Sequence, residues 1–199
     1  MVAHELAVKS GINVPPCKAE KFSSHHHTFL TKRFDRTPGK ERIHFASAMT
    51  MLGYTDGAHA ADGVSYLELA EFLIRHGAHT TRDLKELWKR IIFSICISNT
   101  DDHLRNHGFI LTQTGWELSP AYDVNPNPHG YGLSLNISET DNRLDTDIAL
   151  KVAPYFRIDQ DEGKLIIDEI KSIVQQWPEI ADTYHIPEWE KRAMRPAFG

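Results

Sequence analysis

The spacing of apolar residues along the chain predicts a mostly helical protein with a small β element near its middle. Helical periodicity runs over residues 2–10, 65–76 and 80–98. The last of these segments is amphipathic in its first half and apolar all round in its second half, so we expect it to enter the core. Further helices are predicted at 41–52, 144–152, 161–176, 178–184 and 187–194.

Local signals mark several helix ends. The segment Ser65–Glu68 has the pattern of a capping box, and Thr80–Asp83 repeats it. Gly11, Gly53 and Gly77 each follow a predicted helix, where glycine commonly ends the helical turn. These signals predict separate short helices joined by tight connections.

The β element is predicted from alternating and aromatic residues. Residues 28–35 have the composition of a strand, and 107–118 have that of a hairpin with Gly115 near its turn. Residues 119–132 are rich in proline and polar turn formers and predict a loop, whereas 133–137 predicts a short strand.

Two polar clusters flank the predicted hairpin. Residues 98–107 read SNTDDHLRNH, and residues 119–126 read SPAYDVNP. A hairpin returns the chain to near its start, so we expect Asp101, Asn106 and Asp123 to converge on one site.

The spacing within these clusters is informative. A kinase catalytic loop places a base aspartate five positions before a metal-binding asparagine, and Asp101 and Asn106 have this spacing whereas Asp102 does not. Asp123, beyond the hairpin, would supply a second oxygen ligand for Mg²⁺, which prefers carboxylate and amide oxygens. From spacing alone, an Asp/Asn-rich turn that caps a helix and begins a hairpin is an equal alternative.

The strings NTDDHLRNHGFIL and WELSPAYDVNP resemble the C-terminal kinase lobe of HipA proteins, the serine/threonine kinase toxins of bacterial toxin–antitoxin pairs. AVKSGINVP and FLTKRFDR resemble the segments that lead into the nucleotide hinge of that family. LSLNISETDNRLDTDIALKVAPYF and IPEWEKRAMRPAF resemble its C-terminal helices. The resemblance therefore extends over essentially the whole chain.

The resemblance implies a mainly α fold of the kinase C-lobe type. It implies one domain over 1–199, with a helix and hinge segment at 1–36, a helical C-lobe at 37–199, and a catalytic loop at 98–126. It also implies Mg²⁺ and ATP as cofactors.

The resemblance assigns roles residue by residue. Asp101 would be the catalytic base, Arg105 would lie near the transferred phosphate, and Asn106 and Asp123 would bind the metal. Nucleotide contacts would come from Lys32, Arg33, Phe34, His103, Leu104, Arg105, Asn106, Tyr122 and Asp123. Asn99-Thr100 stands where eukaryotic protein kinases have the His-Arg of His-Arg-Asp.

The chain departs from a complete kinase in one respect. It contains no G-x-G-x-x-G segment, and Lys9 and Lys18 lie in the wrong context to be the phosphate-binding strand lysine. Glu5 is a poor substitute for the acidic partner of that lysine. We therefore expect a C-lobe with its hinge and with the N-lobe largely missing. Such a lobe would be inactive or weakly active until a separate polypeptide supplies the N-lobe.

The implied partners are a HipB-like helix-turn-helix antitoxin and a protein substrate, with aminoacyl-tRNA synthetases among the targets in the family. DNA would be contacted only indirectly, through the antitoxin. Two alternatives remain open. One is a non-catalytic module that binds the antitoxin in an autorepressing complex. The other is a metal-dependent hydrolase that uses Asp101, Asp102, His103 and His107.

Composition restricts these functions further. The formal net charge of −5 argues against a protein that binds nucleic acid through an overall positive charge. No segment predicts a membrane span or a signal peptide, and two cysteines make no disulfide framework, so we expect a cytoplasmic protein. The run His25–His27 fits a solvated turn better than a metal site.

Overall fold

The computed structural model describes residues 1–23 and 26–198. Its helices confirm the predicted mainly α fold. They are α1 (Val2–Lys9), α2 (Ala48–Leu52), α3 (Tyr66–His76), α4 (Thr80–Cys96), α5 (Thr146–Val152), α6 (Gln160–Val174), α7 (Trp177–Thr183) and α8 (Glu188–Met194). The strands are β1 (Cys17–Lys21), β2 (His27–Thr31), β3 (Phe45–Ser47), β4 (Gly108–Leu111) and β5 (Trp116–Leu118).

The predicted hairpin is present as β4 and β5, which pair antiparallel with Phe109 opposite Leu118. A third strand, β3, pairs with the other edge of β4. The predicted helix at 41–52 is therefore wrong over its first half, because pairing with β4 overrides the local helical spacing. Helix α2 covers the second half, and Gly53 ends it in the left-handed conformation at φ +76°.

A second, two-stranded sheet forms near the N-terminus from β1 and β2. The sequence predicted β2, but the structure ends it at Thr31 rather than residue 35, and β1 was missed. The short strand predicted at 133–137 is not formed either. Only an isolated bridge joins Asn136 to Ser65 in that region.

The two predicted capping boxes have different outcomes. In α3, the Ser65 backbone N–H donates to Glu68 Oε2 at 3.0 Å, as predicted. In α4, Asp83 is buried and accepts the Leu118 backbone N–H at 3.0 Å instead of closing a cap. Asp83 thus ties α4 to β5, a long-range role that local spacing did not indicate.

Helix α4 runs through the centre of the core, as its apolar second half predicts. Trp88 is fully buried and donates from Nε1 to the Ala149 carbonyl at 2.9 Å, which fixes α5 against α4. Helix α4 also packs against α3 and α6. None of the helices in residues 1–23 and 26–198 combines the length and apolar character that a membrane span requires.

A buried carboxylate, Asp102, joins the helical core to the start of β4. Its Oδ2 accepts the Tyr66 hydroxyl at 2.6 Å and the Ser94 hydroxyl at 3.4 Å. Its Oδ1 lies 2.9 Å from Nε2 of the buried His107. The His107 carbonyl in turn accepts the Ala48 backbone N–H at 2.8 Å. One side chain thus links α3, α4 and the segment that enters the hairpin.

The ionised form of Asp102 is favoured in spite of its burial. Burial opposes ionisation, but the charge of His107 and the hydrogen bonds to the carboxylate outweigh it, so the pKa of Asp102 lies below its ordinary value. The loop that contains Asp102 therefore stays joined to the core by a charged group that is almost fully buried.

Replacing Asp102 by alanine should lower the free energy of unfolding by about 3 kcal/mol or more, because Tyr66 and Ser94 lose their common acceptor and His107 loses its carboxylate partner. Asp101→Ala is the matched control. Its side chain is exposed, so the expected loss is roughly 0.5 kcal/mol or less. Urea unfolding of both variants measures the difference, and equal losses would contradict the anchoring role of Asp102.

The same carboxylate predicts a pH dependence. Because the pKa of Asp102 is lowered in the folded state, its contribution is fully present above the unfolded pKa of about 3.9 and is lost as pH falls through the folded value. The stability gap between the wild type and Asp102→Asn should shrink below about pH 4. Unfolding measured from neutral to acidic pH tests this, and a gap that stays constant would refute it.

Candidate functional site

The predicted catalytic loop begins directly after α4 and is tied to the loop that follows the hairpin. The buried Asn99 side chain donates to Ser94 Oγ at 3.3 Å and accepts the Asn125 backbone N–H at 3.2 Å. The Asn127 backbone N–H donates to the Ser98 carbonyl at 3.1 Å. The two polar clusters that flank the hairpin in sequence are therefore joined in space, as predicted.

Asp101 and Asn106 are linked within this loop. Asn106 Nδ2 donates to the Asp101 carbonyl at 2.9 Å, and the Asn106 side chain is buried whereas that of Asp101 is exposed. Because the amide nitrogen is used by the loop, Oδ1 of Asn106 is left as an acceptor. An amide oxygen held in this way suits a hard cation such as Mg²⁺.

Tyr122 and Asp123 meet the catalytic loop from the other side of the hairpin. The Tyr122 hydroxyl donates to the Arg105 carbonyl at 2.7 Å. Asp123 follows with an exposed side chain and a backbone φ of +56°, a left-handed conformation that is costly for a residue with a Cβ. Its Oδ1 accepts only the Asn125 side-chain amide at 2.8 Å among the contacts the described residues make. Its carboxylate is therefore available at the surface beside Asn106's loop.

The predicted hinge packs against the same tyrosine. The Phe34 ring lies 5.6 Å from that of Tyr122 and 5.4 Å from that of Phe45, measured between centroids. The Lys32 backbone N–H donates to the Pro16 carbonyl at 2.9 Å, and the Lys32 side chain is exposed. Arg33 is also exposed, and its guanidinium is bonded to Asp35 rather than turned toward the loop. An open cavity of about 270 Å³ adjoins this hinge.

The remaining predicted contacts, at residues 103–105, have different surroundings. Leu104 is buried and acts in packing. Arg105 is exposed, and its guanidinium lies 2.5 Å from Asp56 Oδ1, at a cavity of about 140 Å³ that His103 also lines. His103 Nδ1 is buried and has no hydrogen-bond partner within residues 1–23 and 26–198. The structure thus gives Arg105 a carboxylate partner that the sequence did not suggest.

A buried ion pair in α4, which the sequence did not predict, connects the segment after α1 to the segment after β5. Arg90 donates to Glu86 at 2.9 Å and to the Ser119 carbonyl at 2.8 Å. Glu86 accepts the Asn13 backbone N–H at 3.0 Å, and the Asn13 carbonyl accepts the N–H of Ala121 at 2.7 Å. The available signal was a Glu and an Arg four positions apart in a helix that is otherwise becoming apolar.

The geometry does not support the hydrolase alternative. Asp102 and His107 face each other in the core, while Asp101 faces solvent. Over the described part of the chain, no group of three or more histidine, cysteine or carboxylate side chains is arranged to hold a metal ion. Of the predicted histidine run, His25 lies outside the described residues and His27 begins β2.

Sequence comparison with known proteins shows which family the chain is similar to. The profile of the HipA-like C-terminal domain matches residues 1–177. A Haemophilus influenzae protein named "Putative kinase" is 30% identical over 116 residues, which cover 54% of this chain and 34% of that protein. "Putative kinase Y4dM" of Sinorhizobium fredii is 30% identical over 161 residues, covering 77% of this chain and 37% of that protein. The chain thus spans about a third of the length of these curated relatives.

Two solved structures share the fold. HipA of Shewanella oneidensis, solved with HipB and its operator DNA, has a TM-score of 0.75 at 20% identity over 98% of this chain and 52% of that one. The Helicobacter pylori proinflammatory kinase CtkA has a TM-score of 0.61 at 12% identity over 99% of this chain and 79% of that one. Because the profile covers most of the chain, and both the fold and the relatives agree with it, the chain belongs to the HipA-like C-terminal domain family.

Proposed function

We propose that this chain is the catalytic lobe of a serine/threonine protein kinase that uses Mg²⁺–ATP. The observation that carries the proposal is the hydrogen bond from Asn106 Nδ2 to the Asp101 carbonyl. It fixes the two residues whose spacing matches a kinase loop and leaves the Asn106 oxygen free for a cation. The bond from Tyr122 to the Arg105 carbonyl then brings Asp123 beside the same loop.

Each side chain has a role that its surroundings favour. The exposed Asp101 carboxylate would accept the proton of the attacking hydroxyl. Asn106 and Asp123 would hold Mg²⁺, which supplies charge neutralisation at the phosphates when it is bound. Phe34 and Tyr122 would form the aromatic floor of the hinge, with adenine contacts coming largely from the backbone of residues 32–34.

Arg105 has two possible partners in this proposal. In the structure its guanidinium is paired with Asp56. Both groups are largely exposed, so this pair contributes little stability and can exchange for a phosphate at small cost. We therefore infer that Arg105 exchanges its ion pair with Asp56 for one with the transferred phosphate when nucleotide is bound.

Phosphoryl transfer also needs a glycine-rich loop and a lysine on the phosphates. The 199 residues contain no G-x-G-x-x-G segment. We infer that these elements are supplied from outside this sequence, by a longer polypeptide or by a separate chain.

Nucleotide binding can be tested through thermal stability. Saturating Mg²⁺ with a non-hydrolysable ATP analogue should raise the Tm, since a ligand that binds only the folded state stabilises it. Asp123→Asn should weaken this binding by roughly tenfold, or about 1.4 kcal/mol, in the presence of Mg²⁺. Without Mg²⁺ the substitution should have no effect, because Asp123 is proposed to bind the metal. Asp168→Asn, an exposed carboxylate on α6, is the control. An equal response of both variants would argue against the metal site.

Phosphoryl transfer can be tested after an N-lobe polypeptide with the glycine-rich loop and the lysine is added in trans. We expect transfer to serine or threonine, and we expect Asp101→Asn to reduce its rate by about 10²–10⁴-fold with nucleotide binding retained. Glu139→Gln, an exposed carboxylate, should leave the rate unchanged. Robust transfer by the 199 residues alone would contradict the need for outside elements, and no transfer with the N-lobe present would contradict the enzyme.

A second role is favoured by the Shewanella neighbour, which was solved as a complex with HipB and operator DNA. We infer that this chain also binds a HipB-like helix-turn-helix antitoxin and meets DNA only through it. The two proteins should co-purify, and Asp101→Asn should leave the complex intact because the acceptor base is not needed for assembly. Loss of the complex in that variant would tie antitoxin binding to the catalytic loop.

A further inference from the structure

The segment from residue 32 to residue 44 has a charge opposite to that of the rest of the protein. It contains five lysine or arginine side chains and two carboxylates, a formal net charge of +3, in a chain whose total is −5. The remaining residues therefore carry −8. A local reversal of this size on an acidic protein indicates a surface that meets an anion.

The backbone of this segment turns back on itself and sets two arginines side by side. Arg36 and Arg42 are partners in an isolated antiparallel bridge. The turn is closed by hydrogen bonds from the Thr37 N–H to the Glu41 carbonyl and from the Ile43 N–H to the Asp35 carbonyl, both at 3.0 Å. Directly opposed residues of an antiparallel pair project from the same face, and like charges there are destabilising. This backbone geometry holds two cations together at a cost in stability.

Only part of this positive charge is compensated within the protein. Asp35 Oδ2 lies 2.5 Å from Arg33 and 2.6 Å from Arg36, so one carboxylate serves two guanidinium groups. The hydrogen bonds from Arg33 lower the pKa of Asp35 to about 2, so the carboxylate stays ionised. Within the described chain, no side-chain acceptor bonds the exposed Arg42. Three guanidinium groups and one carboxylate leave a net charge of +2.

These arginines surround one open cavity of about 560 Å³, which we call the arginine pocket. Its lining has three cationic side chains and the carboxylate that pairs with two of them, with one histidine and two apolar residues beside them: Arg33, Arg36, Arg42, Asp35, His44, Ile43 and Phe45. A planar guanidinium forms paired hydrogen bonds with phosphate oxygens, which makes arginine clusters suited to phosphate recognition. The pocket is larger than a phosphate ion, so residues on either side of a phosphorylated side chain can lie on its apolar part.

We propose that the arginine pocket binds a phosphorylated serine or threonine side chain of a peptide segment. A phosphomonoester carries about −1.5 to −2 charges at neutral pH, which matches the uncompensated +2. A nucleic-acid backbone fits less well, because the rest of the chain has a formal net charge of −8 and disfavours an extended polyanion. The pocket contains no residue of the Asp101 loop and shares only Arg33 with the proposed hinge, so its test uses Arg42, which lies outside the proposed nucleotide site.

The experiment measures binding of a fluorescein-labelled phosphoserine peptide to the 199-residue chain by fluorescence anisotropy. The same peptide without phosphate, inorganic phosphate as competitor, and a short double-stranded DNA are the comparison ligands. We expect the phosphopeptide to bind at least about tenfold more tightly than the unphosphorylated peptide, because the charge-assisted hydrogen bonds require the phosphate. Inorganic phosphate should compete weakly, since it lacks the flanking residues.

Two variants that each remove one positive charge test whether binding occurs in the arginine pocket. Arg42→Gln should weaken phosphopeptide binding by about tenfold or more, whereas Lys40→Gln, on the same turn but outside the pocket, should change it less than about twofold. Arg42→Lys should behave nearly like Arg42→Gln, because a lysine cannot form the paired bonds. Circular dichroism checks that each variant is folded.

Three outcomes would overturn the proposal. One is equal binding of the phosphorylated and unphosphorylated peptides. The second is an equal loss in Arg42→Gln and Lys40→Gln, which indicates diffuse attraction rather than a pocket. The third is tighter, Arg42-dependent binding of the DNA, which would make this surface a nucleic-acid contact instead.

Discussion

The buried carboxylate of Asp102 is the constraint on which the position of the candidate catalytic loop depends. A buried carboxylate needs hydrogen bonds or an opposite charge inside the protein. Asp102 finds these partners in Tyr66 of α3, Ser94 of α4 and His107 just before β4. Its neighbour Asp101 then faces solvent, with its carbonyl bonded to the Asn106 side chain. Of these two adjacent aspartates, one is thus structural and the other is exposed, and the exposed one is the group that we propose as the catalytic base.

Most of the helical architecture could be predicted from the sequence, since the apolar periodicity of α4 and the capping box of α3 act locally. The errors concern interactions between distant residues. Phe45–Ser47 is a strand because it pairs with β4. Asp83 accepts the Leu118 backbone N–H rather than capping α4. Local spacing contains no information on which strand edge a segment will meet.

The candidate site was predictable to a similar degree. The five-residue spacing of Asp101 and Asn106, and a hairpin that returns the chain, were sufficient to predict that the two polar clusters meet. The partners that hold the site were not predictable. Arg90 bonds the Ser119 carbonyl, and Arg105 pairs with Asp56, across separations that no motif specifies. Charge patterns suggest such residues, but only the fold selects their partners.

We propose that Asn106 and Asp123 form one metal–nucleotide site beside the hinge. Paramagnetic broadening of backbone amide NMR signals by Mn²⁺ with a non-hydrolysable ATP analogue tests it most directly. We expect the signals of residues 104–107 and 122–125 to broaden first, and those of residues 32–34 to shift as nucleotide is added. Broadening centred elsewhere on the chain, or none at saturating Mn²⁺ and nucleotide, would contradict it.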